Sequence, residues 1–230
     1  MAQESLVRRL WNTVKPPPAV PQERKPLTPQ QRILIRVSAA VVLIVGTALG
    51  AYYWIASAPD RAESRFQSGM RFMRPGQYPQ AVAEFSGAIG IWDRHSGAYL
   101  QRGVAKQVLG DADGALRDFE QAARIDPSLA EAFTARGTIL RDRGDVRGAI
   151  DEITKSVGVR ATMDGYFQRG LLWERLGEHQ KAIEDYDRAI AQERDAPYVY
   201  AARGIAKRAL GDIAGYEQDR DTSIAIENKR

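Results

Sequence analysis

Apolar and polar positions along the chain fall into two regimes. Residues 37–56, VSAAVVLIVGTALGAYYWIA, run without a charge or a proline. Twenty such residues in a helix cover about 30 Å, the depth of a bilayer's hydrocarbon core. Upstream, Thr28 can cap a helix, Pro29 suits its first position, and Gln31 stands where a capping box wants Gln or Glu. Tyr52, Tyr53 and Trp54 stand at the far boundary, where amphipathic rings favour the headgroup level, and Pro59 follows. The pattern predicts one transmembrane helix over residues 33–57. A signal peptide is the competing reading, but its apolar region is normally shorter and nearer the start of the chain. Ala56-Ser57-Ala58 is only a faint cleavage site, so the retained anchor is favoured.

Beyond residue 62 the pattern becomes periodic. Glycines at 69, 103, 137, 170 and 204 are spaced by 34, 34, 33 and 34 residues. A second glycine follows each by seven: Gly76, Gly110, Gly144, Gly177 and Gly211. Small residues recur twelve after the first glycine (Ala81, Ala115, Ala149, Ala182), and large apolar ones four further on (Phe85, Phe119, Ile153, Tyr186). Tyr99, Phe133, Tyr166 and Tyr200 stand four before the first glycine. Each unit reads as two helices broken at the second glycine, which can take the left-handed conformation that ends a helix. Asp111, Asp145 and Asp212 then suit the start of the next helix. The first glycine and the alanine of the second helix should let the pair nest. Neither pair buries its apolar face alone, so neighbours must stack.

This register resembles the tetratricopeptide repeat, a 34-residue helix–turn–helix unit. The resemblance covers residues 62–230, with Tyr or Phe in place of the family's Trp and Pro127 keeping its closing proline. It implies an all-α solenoid of about ten helices behind the single transmembrane helix. The repeats are placed at about 62–95, 96–129, 130–162, 163–196 and 197–230. The fifth departs: Tyr216, Arg220 and Ser223 replace the small, large apolar and alanine positions, as in a polar terminal cap. The missing residue between repeats three and four should shorten the loop near Val159–Met163.

Residues 1–14 place Leu6, Val7, Leu10, Trp11 and Val14 at helical spacing: a short amphipathic helix, or a frayed end, since so short a helix is marginal in water. Residues 15–30 form a proline-rich, extended linker. Charge sharpens this division. Residues 1–36 hold seven Lys/Arg against Glu4 and Glu23, whereas the remainder holds 26 basic against 27 acidic residues. The basic excess therefore sits in the tail. It favours an N-terminus inside, which in a bacterium places the tail in the cytoplasm, the anchor in the inner membrane and the repeats in the periplasm. The repeats carry no basic excess of their own, so no nucleic-acid partner is expected.

There is no cysteine, which excludes disulfides and thiol chemistry. No phosphate loop or nucleophile motif occurs, and no enzyme, cofactor or metal is expected. His95 and His179 lie in different repeats near predicted turns, a placement that suits surface residues. One charge pattern recurs. Arg102, Arg136, Arg169 and Arg203 precede the first glycine, and Asp118, Glu152, Asp185 and Asp219 lie sixteen residues after them. An Arg–carboxylate pair in each repeat, reaching also towards the next one, is favoured over an anion-binding stripe.

The resemblance implies a function as well. Tetratricopeptide repeats line a concave groove with their first helices. Carried over by position, the candidate groove residues are Phe66, Met70, Met73, Leu100, Gln101, Val104, Gln107, Phe167, Gln168, Leu171 and Ile205, with some of them open to the alternative of packing between repeats. Arg74, Arg141, Asp142, Glu174, Arg175 and Arg208 are their charged neighbours. Members that clamp a terminal carboxylate use Lys and Asn at such places; Phe66, Met70, Leu100 and Val104 suit an apolar segment instead. The expectation is a membrane-anchored adaptor that scaffolds an envelope complex, the alternative being a membrane-tethered holdase for extracytoplasmic clients. Gly46 and Gly50 form a G-x-x-x-G pair that allows contact with a second helix in the membrane.

Overall fold

The computed structural model describes residues 27–229. The segment over 1–14 and the linker up to residue 26 lie outside them. The chain divides into two units, residues Met1–Trp54 and Ile55–Arg230. Every regular element among the described residues is a helix.

Helix α1 runs from Pro29 to Ala56, 28 residues or about 42 Å at 1.5 Å per residue. It starts four residues before the predicted span because the capping box forms: the Thr28 amide donates to Gln31 Oε1 at 3.0 Å, and the Gln31 amide donates to Thr28 Oγ1 at 3.3 Å. The Thr47 hydroxyl donates back to the Leu43 and Ile44 carbonyls, so it too is satisfied within the helix. Among the described residues, α1 is the one helix long and apolar enough to cross a membrane.

The second unit is a solenoid of five helix pairs: α2 (Ala58–Arg71) with α3 (Tyr78–Ile91), α4 (Ser96–Val108) with α5 (Ala112–Ile125), α6 (Ala130–Asp142) with α7 (Val146–Val159), α8 (Met163–Arg175) with α9 (His179–Gln192), and α10 (Pro197–Ala209) with α11 (Ile213–Glu227). The first pair begins at Ala58 rather than 62 because Pro59 sits at the start of α2, where its fixed φ suits a helix. Connections between repeats take four residues, except the three-residue link between α7 and α8, where the period loses its residue.

The turn glycines behave as the spacing predicts. Gly76, Gly110, Gly144, Gly177 and Gly211 have φ between +76° and +86°. In repeats two to five the next residue's amide reaches back five residues to close the helix end, as Asp111 does to the Lys106 carbonyl at 2.9 Å. That same residue then caps the second helix. Asp111, Asp145 and Asp212 accept from the amides of Gly114, Gly148 and Gly215 at 2.8–2.9 Å. One aspartate thus ends one helix and begins another.

The first glycines serve packing. A Cβ added to Gly69, Gly103 or Gly170 would lie 2.5–2.6 Å from the ring of Phe85, Phe119 or Tyr186, and at Gly137 it would lie 2.9 Å from Ile153. The nesting is therefore a ring edge pressed onto bare backbone, with the fully buried Ala81, Ala115, Ala149 and Ala182 one turn earlier on the second helix. Around each such contact a core bridges neighbouring repeats. Phe119, Ala122 and Leu100 of repeat two pack with Ala132 and Ile139 of repeat three. Tyr186 and Ala189 of repeat four pack with Val199 and Ala206 of repeat five. Repeat five has Arg220 at the ring's position, and a Cβ on Gly204 would meet the Asp219 Cβ and the edge of Tyr216 at 3.2 and 3.4 Å instead.

The two glycine types predict different failures. Gly110→Ala forces a side chain into the left-handed region, at about 1–2 kcal/mol, with nothing nearby to clash. Gly103→Ala overpacks the Phe119 ring, at roughly 1–3 kcal/mol. Adding Phe119→Leu should recover part of the second loss and none of the first, read as thermal midpoints in a double-mutant cycle. Equal behaviour of the two glycines towards Phe119→Leu would refute the assignment.

Candidate partner-binding face

First helices of neighbouring repeats touch, α2 with α4, α4 with α6 and α8 with α10, and no comparable contact joins successive second helices. The first helices therefore occupy the tighter, inner side of the solenoid. Four of the five enter with a side-chain cap or a proline, α6 being the exception: Pro59 opens α2, His95 Nδ1 accepts from the Ala98 amide at 3.1 Å, Thr162 Oγ1 accepts from the Gly165 amide at 3.1 Å, and Pro197 opens α10. His95 is thus a buried residue, contrary to the surface placement expected from its turn. Its Nε2 reaches Glu63 Oε2 at 3.2 Å, and its ring stacks on Phe66 with centroids 4.9 Å apart. It pins repeat two to repeat one.

The groove candidates separate by exposure. Met70, Leu171 and Ile205 are 40%, 45% and 48% exposed, and Tyr198, whose ring meets Phe167, is 48% exposed. Leu100 is buried in the core between repeats two and three, with Val104 packed against it. Phe66 and Met73 pack on the cluster of Phe85 and Ala105. Phe167 is half-buried, its ring 5.9 Å from Tyr186 and 4.9 Å from Tyr198. Gln101 and Gln107 are half-buried. Gln168 donates to Asp164 Oδ2 at 2.6 Å. Arg141 is forked onto the adjacent Asp142, and Glu174 binds His179 at 2.8 Å.

In the middle of this face the apolar character stops. Repeat three has Thr134 and Thr138 where repeats one, two and four have Phe66, Leu100, Phe167 and Met70, Val104, Leu171. Thr134 Oγ1 pairs with the buried Ser156 hydroxyl at 2.7 Å. Beside them lies a polar cleft of about 350 Å³, lined by Glu131, Thr134, Ser156, Arg160, Thr162 and Asp164. Arg160 is bonded to Glu131 across it, and a hydrogen bond from the glutamate's own backbone, followed by the guanidinium, holds that carboxyl below its ordinary range.

The recurring arginines are committed to the fold. Arg102 Nε and Nη2 bond both oxygens of Asp118 at 2.9 and 2.7 Å. Arg169 does the same to Asp185 and Arg203 to Asp219. Their remaining arm reaches the preceding repeat rather than the next one: Arg102 to Ser86, Arg169 to Thr154, Arg203 to Asp187. The direction follows from the stacking, because a first helix leans on the second helix before it. The Tyr99, Tyr166 and Tyr200 rings lie under these guanidiniums at 5.4–5.7 Å. Burial opposes the Asp219 charge, yet bonds from Arg203 and Lys207 hold its pKa below the ordinary value. Repeat one hides a fifth pair. Ser68 stands in the arginine's place, and Arg65, in the aromatic's place, bonds Glu84 at 3.0 Å. The signal was Glu84, one 34-residue period before Asp118.

Two family models described as tetratricopeptide repeat match residues 100–162 and 163–196. Human tetratricopeptide repeat protein 36 is 32% identical over 148 residues, 60% of this chain and 73% of that protein. The chain belongs to the tetratricopeptide repeat family. Among solved structures, MamA superposes with a TM-score of 0.65 at 21% identity, over 70% of this chain and 95% of the other. YrrB, described as a TPR protein with an unusual peptide-binding site, superposes with a TM-score of 0.62 at 17% identity, over 71% and 85%. In this tetratricopeptide protein, as the fold requires, the inner face is built from first helices. Among the described residues no group of three or more His, Cys, Asp or Glu could hold a metal ion.

Repeat three, like repeat one, lacks the two-nitrogen fork. Glu152 is a methylene longer than the aspartates; Arg136 Nη1 comes only to 3.3 Å from its Oε2, which is buried and accepts no hydrogen bond. Glu152→Asp should admit the two-bond fork and raise the thermal midpoint, by about 1 kcal/mol of stability. The same change made with Arg136→Ala already present should give no gain. A gain of equal size in both backgrounds would show that the fork is not its source.

Proposed function

We propose that this tetratricopeptide protein is a membrane-anchored adaptor, held by α1 and binding an extended or helical segment of a partner along its inner face. The observation that carries the reading is the exposure of Met70, Leu171 and Ile205, which share the register position directly after the first glycine, together with Tyr198 on α10. Exposed apolar groups on a face otherwise devoted to packing suit an apolar ligand. The apolar ends and the polar cleft at repeats three and four suit a segment with separated apolar anchors and a polar middle. A likeness to a fold described as peptide-binding points the same way. The Lys/Arg excess before α1 supports a cytoplasmic tail with periplasmic repeats in a bacterial inner membrane. Scaffolding of an envelope complex is the role that combines these parts.

The test is a crosslinked pull-down from native membranes with the full chain and with Leu171→Ala plus Ile205→Ala. Each side chain is worth about 1.5–3 kcal/mol when buried by a partner, so recovery of a specific partner should fall by two orders of magnitude or more. The thermal midpoint should hardly move, because both residues are already exposed. Leu100→Ala is the contrast: it removes core and lowers the midpoint. Recovery of many unrelated clients, each weakly, would replace the adaptor with the holdase. Unchanged recovery of one partner would move the interface off the inner face.

Gly46 and Gly50 meet nothing within 4 Å, so α1 offers a smooth strip to another helix. Gly46→Ile with Gly50→Ile should lower the oligomeric state in detergent or strip a partner from the pull-down. If both stay as they were, the pair is ordinary span composition.

A further inference from the structure

Helix α3 ends beside the point where the solenoid joins the apolar helix. A cleft of about 560 Å³ there is lined by Ile55, Ala56 and Pro59 on one side and Ile89, Ile91 and Trp92 on the other, all within the second unit. Asp93 is its one charged lining residue. Ile55 and Ala56 are the last residues of the α1 helix and directly follow Tyr52, Tyr53 and Trp54. If α1 spans a bilayer, chain connectivity alone leaves them at the hydrocarbon boundary. The headgroup layer beyond that boundary is about 5–8 Å deep on each side. Side chains that share a cleft with Ile55 and Ala56 therefore stand within or against that layer.

The chemistry of those side chains fits lipid. Trp92 is half-buried, and its ring is fixed edge-on to His95 with centroids 5.5 Å apart. Tryptophan, with an apolar body and one N–H, favours the headgroup level, and Ile89 and Ile91, half-buried, add the apolar surface that the repeat leaves open. We propose that this corner of repeat one is a second membrane contact, with Trp92 and Ile91 resting in the headgroup layer of the leaflet that α1 enters. The partner is the lipid surface itself. The inference rests on reading α1 as a membrane span. Its consequence is that repeat one is held close to the bilayer while the later repeats are left to reach a partner.

The experiment uses the full chain in vesicles of phosphatidylethanolamine and phosphatidylglycerol, with lipids brominated either near the headgroups or near the bilayer centre. Three variants each keep one of Trp54, Trp92 and Trp173, the other tryptophans being changed to Phe. Emission from Trp54 and Trp92 should be quenched by the shallow probe more than by the deep one, and emission from Trp173 by neither. Quenching of Trp54 with Trp92 as unaffected as Trp173 would overturn the second contact and leave the anchor standing. A Trp54 that neither probe quenches would overturn both. Because the chain has no cysteine, Ile91→Cys carrying a nitroxide gives a check without removing any ring. Its collisions with lipid-soluble oxygen should exceed those with a water-soluble nickel complex, and the reverse order would sink the proposal.

Discussion

A helix can take the ring of another helix against its own backbone only where one of its side chains is missing. That constraint sits at Gly69, Gly103 and Gly170, where the rings of Phe85, Phe119 and Tyr186 occupy the space of a Cβ. The distance between paired helices follows from it, and so does much else. With the pair drawn close, the arginine just before the glycine comes within two-bond reach of the carboxylate just before the ring. Its third nitrogen is then left facing the repeat behind. Local nesting and repeat-to-repeat stacking are thus joined through one guanidinium. Tyr186 shows the constraint from the other side: its ring fits Gly170, but its hydroxyl is buried without a hydrogen-bond partner, and burial pushes the phenol well above its ordinary range.

What could be read from the chain was whatever depends on residues close in sequence. The left-handed turns at five glycines, the aspartate caps and the capping box at Thr28 and Gln31 involve groups a few positions apart, so spacing alone placed them. The Arg–carboxylate pairs were legible for a different reason. They recur, and repetition turns a long-range contact into a local pattern. What stayed hidden depends on where one repeat departs from the others. His95 looked like a turn histidine, and only the packing of repeat two on repeat one buries it. Arg65 and Glu84 escaped because repeat one carries its arginine at the aromatic's position and Ser68 at the arginine's. The forks point backward rather than forward because of how the helices stack, a fact no single repeat contains.

The same limit governs the inner face, and it separates folding from recognition. Val104, Leu171 and Ile205 occupy one register position, directly after the first glycine, in repeats two, four and five. Val104 is drawn into the core that Leu100, Phe119 and Ile139 build between repeats two and three. Leu171 and Ile205 have no such neighbour to lean on and remain half in solvent. A repeat pattern predicts which residues point inward; what stands on the adjoining helix decides whether an inward residue is consumed by packing. The threonines of repeat three make that difference visible. They remove apolar bulk from the centre of the face, the connection beside them is a residue shorter, and a polar cleft opens where the other repeats close. In such a solenoid, specificity for a partner need not be added to a uniform scaffold. It arises wherever one repeat fails to complete the packing that its neighbours complete.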